Sequence, residues 1–123
     1  MKNAVLIIAA VASLWATGAS AMTVQEFLTS ANRIPRNPTA LLRSDTRRLM
    51  DEVKSAFKTV GDEQKAAQAA GRRSATCVPQ GERIGLSPDM ILARFNAIPT
   101  ARRNISVTQA VREWMAERYP CPG

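Results

Sequence analysis

The side chains that could do chemistry in this sequence are cysteines, serines and carboxylates, because the chain contains no histidine. Without histidine, a Ser-His-Asp or Cys-His arrangement cannot form and the commonest metal ligand is missing. The acidic pairs Asp51-Glu52 and Asp62-Glu63 are adjacent in sequence, and neighbours on a helix point about 100° apart, so they do not converge on one substrate atom. A solvated helix face is the simpler interpretation. We therefore predict a protein that is not an enzyme and uses no metal or cofactor.

The N-terminus has the three parts of a secretory signal peptide: a lysine near the start, a short apolar run, and small residues before a cleavage point. Ala19 and Ala21 supply those small residues. The apolar run is shorter than the about 20 residues that a membrane-spanning helix needs. We expect cleavage between Ala21 and Met22, which makes residues 1–21 the signal peptide and residues 22–123 a single mature domain in the periplasm or the medium.

Both cysteines, Cys77 and Cys121, belong to the predicted mature domain. Two cysteines allow one pairing, and an exported protein meets an oxidising compartment, so we expect a Cys77–Cys121 disulfide. In the chain-entropy model a bond that closes a loop of this length stabilises the fold by about 4 kcal/mol. The functional alternatives are weak, because a catalytic cysteine would lack a histidine base and a zinc ion would need carboxylates as its other ligands.

Arginine carries the remaining functional signal. The chain has 17 lysines and arginines against 10 acidic residues, and loss of the signal peptide leaves 16 against 10, a net charge of +6. Many of the arginines form small clusters at helix ends and in loops, and their forked guanidinium groups suit carboxylate or phosphate. The candidate partner-binding residues are Arg47, Arg48, Arg72, Arg73, Arg83, Arg102 and Arg103.

Three kinds of partner fit such a basic surface: an acidic protein, an anionic envelope polymer or lipid headgroup, and nucleic acid. We expect no nucleic acid, because the protein is predicted to be exported and the aromatic residues expected of a single-strand binder are not interleaved with the arginines. The alternative to any of these roles is that the positive charge only keeps the surface soluble.

The elements that must position these residues are predicted to be helices. Thr23 and Glu26 form a capping box that begins a first helix at residues 24 to about 32. Asn37, followed by proline, caps a short turn that continues through Leu42.

A long helix is predicted over residues 45–70, with Ser44 or Asp45 as its cap and Gly71 as its stop. Its apolar residues recur at three- and four-residue steps, which places them on one face: Leu49, Val53, Ala56, Phe57 and Val60. Beyond Gly61 the stripe thins to alanines, so we expect the second half of this helix to bury little.

The C-terminal part is predicted as a loop at residues 71–86 and a helical pair at residues 88–119. Ser87 caps the first helix of the pair, and Ser106 with Gln109 forms a capping box for the second. The core face of the last helix is predicted as Val107, Val111, Trp114 and Met115, although a buried tryptophan and a binding anchor look alike in sequence. The fold class is therefore all-α: a small four-helix domain with one disulfide.

The C-terminal third carries the motifs of a known family. Cys77-Val78-Pro79, a polar stretch, a short helix and a last helix that ends in Tyr119-Pro120-Cys121 resemble the tail of the periplasmic Rap/Tai immunity proteins. The resemblance covers residues 77–121 and implies that Cys77 and Cys121 form a structural disulfide. Members of that family are exported helical proteins that bind and block a cell-wall amidase toxin delivered by type VI secretion.

These observations predict an exported, non-catalytic binding protein, an immunity or inhibitor protein that acts on another protein in the periplasm. The alternative is a basic envelope protein that binds anionic polymer or lipid headgroups. The sequence leaves the oligomeric state open.

Overall fold

The computed structural model describes residues 21–79 and 85–122, so Arg83 and all of the predicted signal peptide except Ala21 lie outside the described residues. Within the described ranges the chain forms four α-helices and no strands, which confirms the all-α prediction. No helix in these ranges is both long enough and apolar enough to cross a membrane. The helices are α1 (Val24–Asn32), α2 (Ser44–Ala69), α3 (Pro88–Asn96) and α4 (Val107–Arg118), with short 3-10 helices at Pro38–Leu42 and Thr100–Arg102.

Helix α1 begins as its sequence predicts. The backbone N–H of Glu26 donates to the Thr23 hydroxyl at 3.1 Å, and the N–H of Thr23 donates to the Glu26 carboxylate at 3.4 Å. The capping box is therefore present, and it satisfies two of the amides that a helix start leaves without partners. The helix buries Val24, Phe27 and Leu28 against the rest of the domain.

Helix α2 differs from its prediction at one end. It begins at Ser44 with Arg43 in the cap position and no side-chain cap, so the prediction that Ser44 or Asp45 caps it was wrong. At the other end Gly71 adopts a φ of 67° and its N–H donates to the Gln68 carbonyl. This left-handed residue satisfies the last carbonyls of the helix, which confirms glycine as the stop.

The second half of α2 is more buried than the thinning apolar stripe predicts. Gln64 is 2% exposed and Ala67 is 7% exposed. Both residues continue the buried face of Val60, and the segment around Cys77 hydrogen-bonds to Gln64. The prediction that this half buries little was therefore wrong.

Helices α3 and α4 begin at serine caps. The Ser87 hydroxyl accepts from the Met90 N–H at 3.2 Å, and the Ser106 hydroxyl accepts from the Gln109 N–H at 3.0 Å. The second capping box is only half formed, because the Gln109 side-chain oxygen accepts from the Arg112 guanidinium rather than from the Ser106 N–H.

The core lies between α2 and α4, with α1 packed across them. The predicted core residues of α4 are all buried, and Trp114 is among them at 7% exposed. Its ring meets that of Phe57 edge-on with 6.1 Å between centroids, so this tryptophan packs in the interior.

The segments on both sides of the helical part, at Met22 and at Cys121, are joined to the rest of the domain. The Met22 carbonyl accepts from the Val107 N–H at 2.8 Å, which ties the start of the domain to the start of α4. Cys77 and Cys121 form the predicted disulfide. Beside it, the Cys77 N–H donates to the Tyr119 carbonyl at 2.8 Å, so the loop after α2 is joined to the end of α4.

Candidate functional site

The loop that follows α2 is held by one buried amide. The Gln64 side chain accepts from the Val78 N–H at 2.9 Å and donates to the Val78 carbonyl at 2.9 Å. Its oxygen also accepts from the Thr76 hydroxyl at 3.2 Å. With the disulfide at Cys77, these contacts fix the loop on both sides, so the surface beside it is preorganised.

A cleft of about 180 Å³ lies next to this loop, at the C-terminal end of α2. Two residues of its lining, Glu63 and Arg112, form an ion pair with forked contacts of 2.9 and 3.1 Å between guanidinium and carboxylate. The charges of Glu63 and Arg112 cancel, so within the described ranges Arg73 carries the one unpaired charge among the lining residues. The cleft is lined by Val60, Glu63, Gln64, Ala67, Arg73, Ser74, Ala75, Thr76 and Arg112.

The candidates Arg72 and Arg73 are both exposed, and Arg73 lines this cleft. Within residues 21–79 and 85–122, neither guanidinium donates a hydrogen bond or joins an ion pair. Exposed alanines at positions 69, 70 and 75 surround them, so another molecule can approach the backbone closely here. We call Arg72, Arg73 and the lining residues of the cleft the Arg73 cleft.

The candidates Arg102 and Arg103 have intramolecular partners. One guanidinium nitrogen of Arg102, Nη2, donates to both carboxylate oxygens of Glu113 at 3.0 and 3.1 Å. Arg103 donates to the carbonyls of Ile98 and Asn96 at 3.0 Å each, and so closes the turn after α3. Their role in partner binding stays a prediction, but both contacts already have a structural purpose.

The candidates Arg47 and Arg48 lie in the first turns of α2 and are exposed. Arg48 reaches the Ser30 hydroxyl of α1 at 3.5 Å. Just before them, the 3-10 helix Pro38–Leu42 presents two leucines that the sequence analysis did not single out. Leu41 is 70% exposed and Leu42 is 80% exposed. A Leu-Leu pair in a turn that begins with proline was the available signal.

A second cleft of about 180 Å³ lies between α3, the 3-10 helix Thr100–Arg102 and α4. Its wall combines apolar residues such as Ile98 with Arg94, Arg102 and Glu113. The guanidinium of Arg94 pairs with Glu117 at 2.7 Å. Because both arginines already face a carboxylate of α4, this cleft offers less free charge than the Arg73 cleft.

Five carboxylates of the described residues form ion pairs with arginine or lysine: Asp45, Asp62, Glu63, Glu113 and Glu117. A hydrogen bond from Lys58 lowers the pKa of Asp62 below its usual range. Its neighbour Glu63 turns to Arg112 instead. Within residues 21–79 and 85–122, no three histidine, cysteine or acidic side chains come together as a metal site.

Two carboxylates of α4, Glu113 and Glu117, also have pKa values below their usual range. Burial raises the pKa of Glu113, but hydrogen bonds from Gln109 and Arg102 outweigh burial and bring it below its usual range. A hydrogen bond from Arg94 lowers the pKa of Glu117. These groups stay ionised at neutral pH, so they act as fixed ion-pair partners.

Comparison with known proteins adds no relative: no family model, no curated protein and no solved structure matches this chain. The resemblance to the Rap/Tai tail therefore rests on the cysteine, proline and tyrosine motifs alone.

Proposed function

We propose that this chain is an exported binding protein that recognises another protein through the Arg73 cleft. The observation that carries the proposal is the exposed Arg73 in a cleft whose loop is fixed by Gln64 and the disulfide, with the exposed Arg72 next to it in sequence. A preorganised surface loses less conformational entropy when it binds, so more of the contact energy remains as affinity.

Arginine beside a small cleft is a common arrangement in protein recognition. Arginine is enriched among the residues that dominate interface energetics, because its guanidinium can pair with a carboxylate and still pack as a flat group. An acidic side chain of the partner that reaches Arg73 while an apolar neighbour enters the cleft would use both features. Together with the Rap/Tai-like tail, this supports an immunity or inhibitor protein acting in the periplasm.

The proposal includes export. We expect signal peptidase to cut between Ala21 and Met22, and the first backbone contact of the domain is made by the Met22 carbonyl. The mature chain would therefore keep every helix of the described fold. Intact mass of the secreted protein should equal that of residues 22–123 minus two hydrogens for the disulfide.

The test is a capture experiment with a matched control. Tagged mature protein is incubated with a native periplasmic extract of the producing cell at low and moderate salt, and captured proteins are identified by mass spectrometry. The captured protein is then purified and its Kd is measured against wild type, Arg72→Glu/Arg73→Glu and Arg33→Glu/Lys54→Glu. The last variant reverses two exposed positive charges on other parts of the surface.

We expect one stoichiometric partner, a Kd weakened by at least about tenfold in the Arg72→Glu/Arg73→Glu variant, and little change in the control. Equal losses in both variants would mean that net charge, rather than the Arg73 cleft, governs binding. Absence of any stoichiometric protein partner would overturn the proposal.

A second candidate function is the binding of anionic envelope polymer or lipid headgroups. The observation that favours it is the charge of residues 36–48, which contain four arginines and one aspartate and so carry a net charge of +3. Such binding would weaken steeply with salt, since exposed charges are screened over about 8–10 Å at physiological ionic strength.

A further inference from the structure

We propose that the 3-10 helix Pro38–Leu42 docks on an anionic lipid bilayer, with Leu41 and Leu42 entering the headgroup region and the neighbouring arginines binding phosphates. This inference rests on the second candidate function and names its ligand. We call the residues involved the Leu-Arg tip: Arg36, Leu41, Leu42, Arg43 and Arg47.

Both leucines of the tip are exposed. Leu41 is 70% and Leu42 is 80% exposed, whereas Met50 is 44% and Met90 is 39% exposed. The Asn37 side chain accepts from the Thr39 N–H at 3.0 Å and thereby caps the turn that presents them.

The charge around the leucines is positive. Arg36, Arg43 and Arg47 are exposed, and within the described ranges only Arg43 among them forms an ion pair, with Asp45 at 3.0 Å. Arginine and lysine side chains extend alongside apolar groups while their charged heads reach phosphate. An apolar pair with arginines on either side in sequence therefore complements a surface whose outer layer is anionic and whose inner layer is apolar.

The tip fits a bilayer better than a protein partner. At 70% and 80% exposed, Leu41 and Leu42 project outward from the surface. A bilayer accepts projecting apolar side chains at any position along its surface, while a protein would need a pocket shaped for this pair. Two leucines give a weak, reversible attachment, and the arginines make it dependent on salt.

The test uses the oxidised mature protein and vesicles of two compositions. The first contains phosphatidylglycerol and phosphatidylethanolamine in equal parts, and the second contains phosphatidylcholine alone. Binding is measured by co-sedimentation at low and moderate salt. The apolar variant is Leu41→Ser/Leu42→Ser, with Met90→Ser as the matched loss of an exposed apolar residue elsewhere.

Charge is tested by a second matched pair. Arg36→Glu/Arg47→Glu and Arg72→Glu/Arg73→Glu change the net charge by the same amount, but only the first alters the tip. Insertion is read directly from Leu42→Trp, whose fluorescence should shift to the blue on the anionic vesicles. Far-ultraviolet circular dichroism confirms that each variant is folded, which is expected because every substituted side chain is exposed.

We expect binding to the anionic vesicles only, about tenfold weaker for Leu41→Ser/Leu42→Ser and nearly unchanged for Met90→Ser. Arg36→Glu/Arg47→Glu should lose more binding than Arg72→Glu/Arg73→Glu.

If no vesicle is bound, the inference fails and the lipid form of the second candidate function fails with it. If anionic vesicles are bound equally by wild type and Leu41→Ser/Leu42→Ser, or if Leu42→Trp shows no shift, charge attraction stands and docking by the tip is overturned. If the leucine substitutions weaken binding of a captured protein but not of vesicles, the tip is a protein-binding surface and the inference is likewise overturned.

Discussion

The amide of Gln64 satisfies three polar groups of a segment distant from it in sequence. Its oxygen accepts hydrogen bonds from the Val78 N–H and the Thr76 hydroxyl, and its NH₂ group donates to the Val78 carbonyl. An apolar residue could fill the same volume, but it would leave these groups without partners. A buried polar group that loses its hydrogen bonds costs about 1–3 kcal/mol.

We therefore expect Gln64→Leu to lower the free energy of unfolding by about 2 kcal/mol, since water can still reach part of Val78. Urea denaturation followed by circular dichroism measures the change. Gln68→Leu is the matched control, because Gln68 lies one turn further along α2 and is exposed, and it should change stability by no more than about 0.5 kcal/mol. Equal stability of Gln64→Leu and wild type would show that the amide contacts are energetically neutral.

Gln64 also shows where sequence reasoning reaches its limit. Helical periodicity predicted the buried face of α2 as far as Val60, because apolar side chains at three- and four-residue steps are a local signal. The continuation through Gln64 and Ala67 depends on a loop that folds back over the helix. A polar side chain whose hydrogen-bond partners lie in a distant segment has no local signature, so periodicity does not place Gln64 in the core.

At the scale of elements, local chemistry predicted most helix ends. The bounds of α1, the proline-led 3-10 helix and the stop at Gly71 follow from caps that act within a few residues. The start of α2 was predicted less well, since two polar residues stood at the boundary and neither serves as a cap. The candidate arginines were found from composition, but composition could not show that Arg102 and Arg103 have partners inside the molecule.

Ion pairs between elements make the attachment of α4 depend on pH. The folded-state pKa of Glu113 lies below its ordinary value of 4.5, because the hydrogen bonds from Gln109 and Arg102 outweigh burial. The stabilisation is therefore complete above that value and is lost as the pH falls through the folded-state pKa. We expect Glu113→Gln to cost about 0.5 kcal/mol at pH 7, the usual size for an exposed pair.

The same variant should be as stable as wild type at a pH low enough to protonate Glu113, because the ion pair with Arg102 is then lost in both proteins. Urea denaturation of the two proteins between pH 7 and strongly acid conditions gives the comparison. A stability difference that persists unchanged in acid would indicate that Glu113→Gln disturbs packing, and would contradict the electrostatic explanation.

At the scale of the whole molecule, the disulfide joins the loop after α2 to the chain end and encloses α3 and α4. Cys77 and Cys121 are 44 residues apart. A closed loop of that length removes enough freedom from the unfolded chain to stabilise the fold by about 4 kcal/mol. Small domains have total stabilities of about 5–15 kcal/mol, so this one bond supplies a large share.

We expect Cys77→Ser/Cys121→Ser to lower the unfolding free energy by about 4 kcal/mol, measured by urea denaturation without reductant. Gln64 and the disulfide hold the same loop from opposite sides, so their effects should not add. Once the disulfide is absent the loop opens more readily, and Gln64→Leu should then cost less than in the oxidised protein. Hydrogen exchange at the Val78 N–H tests this directly, because reduction of the wild type should speed exchange there more than at the Phe27 N–H of α1. Strictly additive losses when Gln64→Leu and Cys77→Ser/Cys121→Ser are combined would mean that the Gln64 hydrogen bonds and the disulfide stabilise separate parts of the fold. The loop beside the Arg73 cleft would then keep its position without the disulfide.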